Sequence, residues 1–236
     1  MRLLLIRHGE SANNRIHAET GSWSGRSPDP ELTDLGHLQA GKLAGHWIDT
    51  QLPRPSALYT SLMRRAVATA APLAAALDLP LQGHPLLHEV GGVYEADDEG
   101  PKVTGVPRPG SPASSLLALS PNLVLPTQAD ETGWHRRPFE PPAHAWDRAC
   151  EVAAELRSAH GDTDHLIGLV SHAWFAQYLI HALLGWEPAP DGRLTAWLVI
   201  HNTGHTLIEL EPGSGWPPAL VWLNRLDHLG QDEISS

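Results

Sequence analysis

Cys150 is the one cysteine in 236 residues, so no disulfide can form within the chain. Positive charge is also scarce. Sixteen Lys and Arg face 27 Asp and Glu, a formal net charge of −11. That balance removes general attraction to nucleic acid or to an anionic membrane surface, both of which reward a basic patch. Any phosphate chemistry must then draw on local positive charge. Long apolar runs are missing too. The first six residues are too few for the core of a signal peptide, and no later stretch approaches the roughly 18–20 residues that span a bilayer. The expected setting is cytoplasmic, with no nucleic-acid or membrane partner; oligomeric state is left open.

Hydrophobic residues make up 42% of the chain and charged residues 18%, the balance of an ordinary globular protein. The length suits one α/β domain over residues 1–236 with an insertion. Fifteen histidines invite a metal reading. His84 and His88 straddle Pro85, however, and His201 and His205 lie in a strand-like stretch. Neither pair has the cysteine or carboxylate company of a structural zinc site, so no metal and no cofactor are assigned.

Leu3 to Ile6 reads as a buried strand that delivers Arg7, His8, Gly9 and Glu10 to its carboxyl end. Residues 9 to 31 read as irregular, with at most one helical turn. Thr33 caps a helix to about Thr50 with an apolar stripe of Leu35, Leu38, Leu43, Trp47 and Ile48. Ala57 to Thr60 is a second strand and Leu62 to Leu77 a second helix, which Pro72 should kink or interrupt. Residues 81 to 87 read as extended. They lead into His88-Glu89-Val90-Gly91-Gly92, where the glycines predict a tight backbone. From about 97 to 142 prolines exclude long elements apart from a short helix at Ser114 to Leu119, and the segment reads as an inserted cap or lid. Helical period returns from Ala143 to His160. Leu166 to Val170 is a second wholly apolar strand, followed by Ser171, His172 and a helix over Trp174 to Leu184. Ala196 to Ile200 and Thr206 to Leu210 are expected to pair as a hairpin, residues 219 to 223 to add an edge strand, and the tail after Asp227 to fray.

This alternation predicts a three-layer αβα sandwich with a mainly parallel central sheet, in which ligands sit beyond the carboxyl ends of strands. His8 and His172 both stand there. If their strands are neighbours, the two imidazoles face one pocket.

The residues that carry this arrangement resemble the histidine phosphatase superfamily, also called the phosphoglycerate mutase-like family. The resemblance rests on Arg7-His8-Gly9-Glu10-Ser11 with Asn14; Asp29, Leu32-Thr33, Gly36, Gln39 and Ala40; Tyr59, Ser61, Arg65-Ala66 and Thr69-Ala70; Leu87, Glu89, Gly92 and Glu95; Val170-Ser171-His172; and Asn202. It implies that His8 attacks phosphorus to form a phosphohistidine, with its other ring nitrogen held by a backbone carbonyl. It further implies that Arg7 and Arg65 grip the phosphoryl oxygens, that His172 donates to them, and that Glu89 serves as acid and then as base. Asn14 and the backbone amide of Ala173 would add donors, and Ser24-Gly25 stands near the place where mutases offer a Ser-Gly pair. Arg64 is expected to face solvent or an ion pair, and Glu10 and Glu95 to orient neighbours. Departures from the pattern are the early Gly91-Gly92 pair, Ala96 where glycine is frequent, and Ala173-Trp174-Phe175 where small residues are common. Trp174, like most of the nine tryptophans, is read as core.

The reading is a metal-independent phosphomonoester hydrolase acting on a small phosphorylated metabolite. Cofactor-dependent phosphoglycerate mutase is the first alternative, although Val90-Gly91-Gly92 supplies no charge to grip a substrate carboxylate. A non-catalytic phospholigand-binding protein is the second. Lys102, Arg108, Arg136 and Arg137 lie in the insertion and are read as solvated surface charges.

Overall fold

Apolar residues on both faces of a strand need cover on both sides, and β1 (Arg2–Arg7) finds it at the centre of a sheet. Leu3 and Leu5 pack into one hydrophobic cluster, while Leu4 and Ile6 pack into the other on the opposite face. The computed structural model describes residues 1–22, 24–50, 52–95, 105–211 and 216–236. Ala96, Lys102 and the start of the Pro-rich segment lie outside them.

After β1 come α1 (Ala12–Thr20), α2 (Asp34–Asp49), β2 (Ala57–Thr60), α3 (Arg64–Leu77) and β3 (Leu81–Gly83). The short strands β4 (Tyr94–Glu95) and β5 (Val106–Pro107) form a ribbon of their own. They are followed by α4 (Ala113–Leu119), β6 (Leu123–Val124) and α5 (Pro142–His160). The remainder is β7 (Leu166–Ser171), α6 (Ala173–Leu184), β8 (His205–Glu209) and β9 (Ala219–Arg225). The seven-stranded sheet runs β6-β3-β2-β7-β1-β8-β9. Its first five members are parallel; β8 and β9 are antiparallel additions beside β1. Helices α5 and α6 cover one face with Val152, Leu156, Phe175 and Leu179. The other face is covered by α2 and α3 with Leu43, Trp47, Val67 and Leu73. The sandwich and its mainly parallel sheet are those expected.

Several local expectations are corrected. Residues 12–20 form a helix, because Ser11 and Asn14 close a capping box around its first amides. The buried face of α2 is Gly36, Gln39, Ala40, Leu43, Ala44 and Trp47, and Leu38 and Ile48 are exposed. Small residues at 36 and 40, not large ones at 38 and 48, let α2 approach the sheet. Pro72 does not end α3. Residues 85–87 wind into a 3₁₀ turn begun by Pro85.

The hairpin is β8–β9, not a pairing of 196–200 with 206–210. Residues 196–200 stay irregular because side chains take their backbone groups. Gln177 accepts from Leu198 N and donates to Leu198 O, and Arg7 donates to Ile200 O. The tail is not frayed. Gln39 Nε2 donates to Glu233 O at 2.7 Å and Asn202 N donates to Ser235 O at 2.9 Å. Finally, the Pro-rich segment is more than a cover, since its β6 forms the parallel edge of the main sheet beside β3.

Candidate active site

Strands β1 and β7 are parallel neighbours with Arg7 opposite Ser171, so the next residue of each leaves the sheet at the same edge. Those residues are His8 and His172. His8 N donates to Ser171 O at 2.9 Å, and the two ring centroids lie 5.1 Å apart. The register of two strands therefore juxtaposes imidazoles 164 positions apart in the chain.

The His8 tautomer follows from its partners. Arg65 Nε donates to His8 Nε2 at 3.1 Å, and a guanidinium has no lone pair to offer, so Nε2 is the acceptor. Nδ1 then carries the hydrogen and donates to Gly9 O at 2.7 Å. The main chain around the ring is also held. His8 O accepts from Asn202 Nδ2 at 2.9 Å, and Gly9 N donates to Thr69 Oγ1 at 2.9 Å. Gly9 lies against Gly36, where an added Cβ would stand 2.6 Å from Gly36 O; at Gly36 a Cβ would stand 2.1 Å from Glu10 O. Two glycines thus allow the 8–10 turn and the first turn of α2 to touch.

Burial, with the charges of Arg65 and Arg7, holds the His8 imidazole well below the usual histidine range. His172 is lowered in the same way, by burial first and then by Arg65 and His8. Both rings are accordingly neutral at physiological pH, the state a nitrogen nucleophile requires. Ser61 Oγ shares a 2.8 Å hydrogen bond with His172 Nε2 and accepts from Met63 N, leaving His172 Nδ1 buried without a partner.

Two guanidinium groups surround the rings. Arg7 donates from Nη1 to Ile200 O at 2.6 Å, and burial pushes its pKa down to about 10, so it remains a cation at neutral pH. Arg65 is lowered by burial and supported by Asp29, whose Oδ1 is 4.0 Å from Nη1. Asp29 accepts from Arg64 N and from Ser111 Oγ, so the Pro-rich segment reaches the charge network through Ser111. Arg64 itself points outward to Glu31. Glu10 accepts from Thr33 Oγ1 at 2.6 Å, and Glu95 pairs with Arg108.

Glu89 lies across the mouth of this arrangement. Its Oε1 accepts from Phe175 N at 2.9 Å and Val90 N at 2.9 Å, and its Oε2 accepts from Trp174 N at 3.3 Å. The carboxylate thus caps α6, where an anion is favoured by the helix's free amides. The loop that carries it is fastened by Arg148. That buried guanidinium forks onto Glu140 and donates to Leu86 O and His88 O, while lying 3.9 Å from the Phe175 ring centroid. Gly91 and Gly92, both at positive φ, then turn the chain sharply, as expected.

A cleft of about 50 Å³ opens onto Asn13, Arg26, Ser27, Met63, Arg65, Glu89 and Tyr94. His8 and His172 lie behind it, covered by Arg65.

Some expected contacts fall elsewhere. Asn14 accepts from Ser11 at Oδ1 in the capping box, which does not touch the donor role expected of its Nδ2. Asn13 borders the cleft and clamps Ser27 through two hydrogen bonds. Ser24 and Gly25 are exposed and do not line the cleft; the neighbouring Arg26 does. Arg26 sits within electrostatic reach of Glu89 and Tyr94. Ala173 begins α6 beside His172, but the amides engaged are those of Trp174 and Phe175. Trp174 is not core: it is 45% exposed, because the second residue of α6 points away from the sheet that buries Phe175. In the Pro-rich segment Arg108 pairs with Glu95 and Arg136 with Asp130.

Residues 3–99 match the family model described as the histidine phosphatase superfamily (branch 1). A 2,3-bisphosphoglycerate-dependent phosphoglycerate mutase of Rhodococcus opacus is 46% identical over 68 residues, 29% of this chain and 25% of the mutase. The chain thus matches only about a quarter of the length of that curated relative. Solved structures match over nearly the whole chain. A mutant phosphoserine phosphatase of Entamoeba histolytica, in complex with phosphoserine, aligns with a TM-score of 0.61 and 22% identity over 97% of this chain and 98% of that one. The mycobacterial glucosyl-3-phosphoglycerate phosphatase aligns with a TM-score of 0.62 and 23% identity over 94% and 98%. At these identities the structural likeness speaks for the fold. Among the described residues no helix is long and apolar enough to cross a membrane.

Proposed function

We propose that this chain, which belongs to the histidine phosphatase superfamily, is a phosphatase that hydrolyses a small phosphomonoester through a phosphohistidine on His8. The observation that carries the reading is the state of one atom. His8 Nε2 presents a lone pair, its tautomer set by Gly9 O, among two guanidinium groups and a second imidazole.

The substrate's phosphoryl oxygens replace His8 Nε2 as acceptors for Arg65, which frees the lone pair for in-line attack. The phosphomonoester enters as a monoanion and passes its proton to Glu89 Oε2, the oxygen with a single longer contact to Trp174 N; Nε2 then bonds to phosphorus, the ester P–O bond breaks, and the departing oxygen takes that proton from Glu89. In the second step Glu89 accepts a proton from water as its oxygen attacks phosphorus. The P–N bond breaks and inorganic phosphate leaves. Arg7 and Arg65 hold the equatorial oxygens, and the unpartnered Nδ1 of His172 supplies a donor once the phosphoryl dianion draws a proton to that ring. Residues 105–142 act as the cap beside the cleft, tied to its surroundings by Ser111 Oγ on Asp29 and by Arg108 N on Val93 O.

The test is phosphate release from a panel of phosphomonoesters with a chelator present. Turnover is expected to persist in chelator and to vanish in His8→Ala, and rapid quench of labelled substrate is expected to leave an acid-labile adduct. Glu89→Gln is expected to slow esters of poor leaving groups much more than esters of good ones. Equal slowing of both removes Glu89 as the acid. The match to mutases over 68 residues motivates one further arm. With 3-phosphoglycerate and its bisphosphate primer, free phosphate rather than isomer is expected to accumulate.

A further inference from the structure

We infer that, on the reading of the His8 site as a phosphomonoester site, Trp174 and Trp197 form a platform at its rim that stacks against a ring carried by the leaving alcohol.

Large indole rings are normally turned inward, where each hides 150–250 Å². These two are 45% and 54% exposed, and they meet each other edge to face with centroids 5.3 Å apart at 75°. Both are tethered to the catalytic edge of the sheet. Trp174 is the second residue after His172, so its Cα lies within about 7 Å of that residue's Cα. Its amide holds Glu89 Oε2. Trp197 precedes by three residues Ile200, whose carbonyl accepts from Arg7, a span of at most about 11 Å.

The backbone that carries the pair is held. Trp174 rides on the first turn of α6. The segment bearing Trp197 is fixed to the same helix one turn later, because the buried Gln177 side chain holds both Leu198 N at 2.9 Å and Leu198 O at 2.5 Å. A backbone fixed in advance removes part of the entropic cost of binding. Neither ring is needed to close the core, whose α6 face is filled by Phe175, Leu179 and Leu183. Glu89 lines the cleft and its Oε2 is held by Trp174 N, so an alcohol whose oxygen takes a proton from Glu89 leaves on the side of the indoles. An indole rim is chemically suited to the flat face of a ring, aromatic or carbohydrate, and offers little to an acyclic acidic chain.

The experiment is calorimetric titration of the full chain with non-hydrolysable phosphonates. Phenylphosphonate, or the phosphonate analogue of a hexose phosphate, is expected to bind about tenfold more tightly than methylphosphonate. The ring that gains identifies the source. Trp197→Ala and Trp174→Ala are expected to bring the ratio close to one, and Trp197→Phe to retain most of it. Equal affinity for ring and methyl ligands in the native protein overturns the platform, and so does a ring preference that survives both alanine variants. Absence of binding by every phosphonate, methyl included, overturns the phosphomonoester reading and the platform with it.

Discussion

The nitrogen proposed to attack phosphorus is already occupied, since His8 Nε2 accepts a hydrogen bond from Arg65. A guanidinium in that position disfavours protonation of the ring and, on the proposed mechanism, marks where the phosphoryl oxygens go. His172 depends in turn on Ser61. Removing the hydroxyl leaves Nε2 of a wholly buried imidazole without its 2.8 Å partner. The loss of a neutral hydrogen bond of about 0.5–1.5 kcal/mol is expected to lower kcat/KM of Ser61→Ala by roughly 2- to 12-fold, with folding intact by thermal melt. A rate equal to the native one removes Ser61 from the account. At this scale the positions of His8, Arg7, Arg65 and His172 are legible in the sequence, because each ends, follows or stands in the first turn of a regular element whose pattern is strong. Arg26, Asn13 and the outward turn of Trp174 are not. They depend on how an irregular loop and the first turn of a helix are presented, which spacing alone does not encode.

Elements meet at this site through small residues. Gly36 opens α2 against the 9–10 backbone, and a methyl group there would collide with Glu10 O, a main-chain atom that cannot swing aside. Overpacking of this kind costs about 1–3 kcal/mol, so Gly36→Ala is expected to lower Tm by about 2–12 °C and to reduce turnover by displacing Gly9 from His8 Nδ1. A Tm within 1 °C of native, as a rough threshold, contradicts the close contact. Strands β1, β2 and β7 of the parallel core are readable from the sequence, and α2 from its cap at Thr33, whereas the edge strand β6 is not. Pattern alone misplaces the hairpin because side chains of Gln177 and Arg7, distant in sequence, take the backbone groups that a strand over 196–200 would have paired. Helix α1 escapes pattern because its cap is polar and its interior carries no apolar stripe.

On the scale of the whole molecule, buried histidines set the response to acid. Burial, together with the neighbouring His228, pushes the His205 pKa down to about 3; burial with His46 pushes His228 down to about 4. Free histidine titrates near 6.5, so between pH 6.5 and these values the unfolded chain binds more protons than the folded one. Stability therefore falls as pH drops through that window. His8, His88 and His172 act in the same direction, while Asp29, raised by burial, opposes them. Thermal melts from pH 7 to pH 4 are expected to show a steady decline in Tm, and a flat or rising profile would contradict the burial of neutral rings. The acid-sensitive group lies where the tail is fastened, His228 Nε2 sharing a 2.9 Å hydrogen bond with Thr203 Oγ1. That fastening is not legible, because a short polar tail has no periodicity and gains its place from distant residues such as Gln39, Asn202 and Thr203.

The central position of β1 sets a timetable for synthesis. The strand that leads to His8 is made well before its two neighbours in the sheet, β7 and β8, which begin at residues 166 and 205. At roughly 5–20 residues per second, translation withholds those partners for about 10 to 40 seconds. Throughout that delay the apolar run Leu3 to Ile6 has neither flanking strand to pair with. The two imidazoles meet only after β7 has been made and docks beside β1.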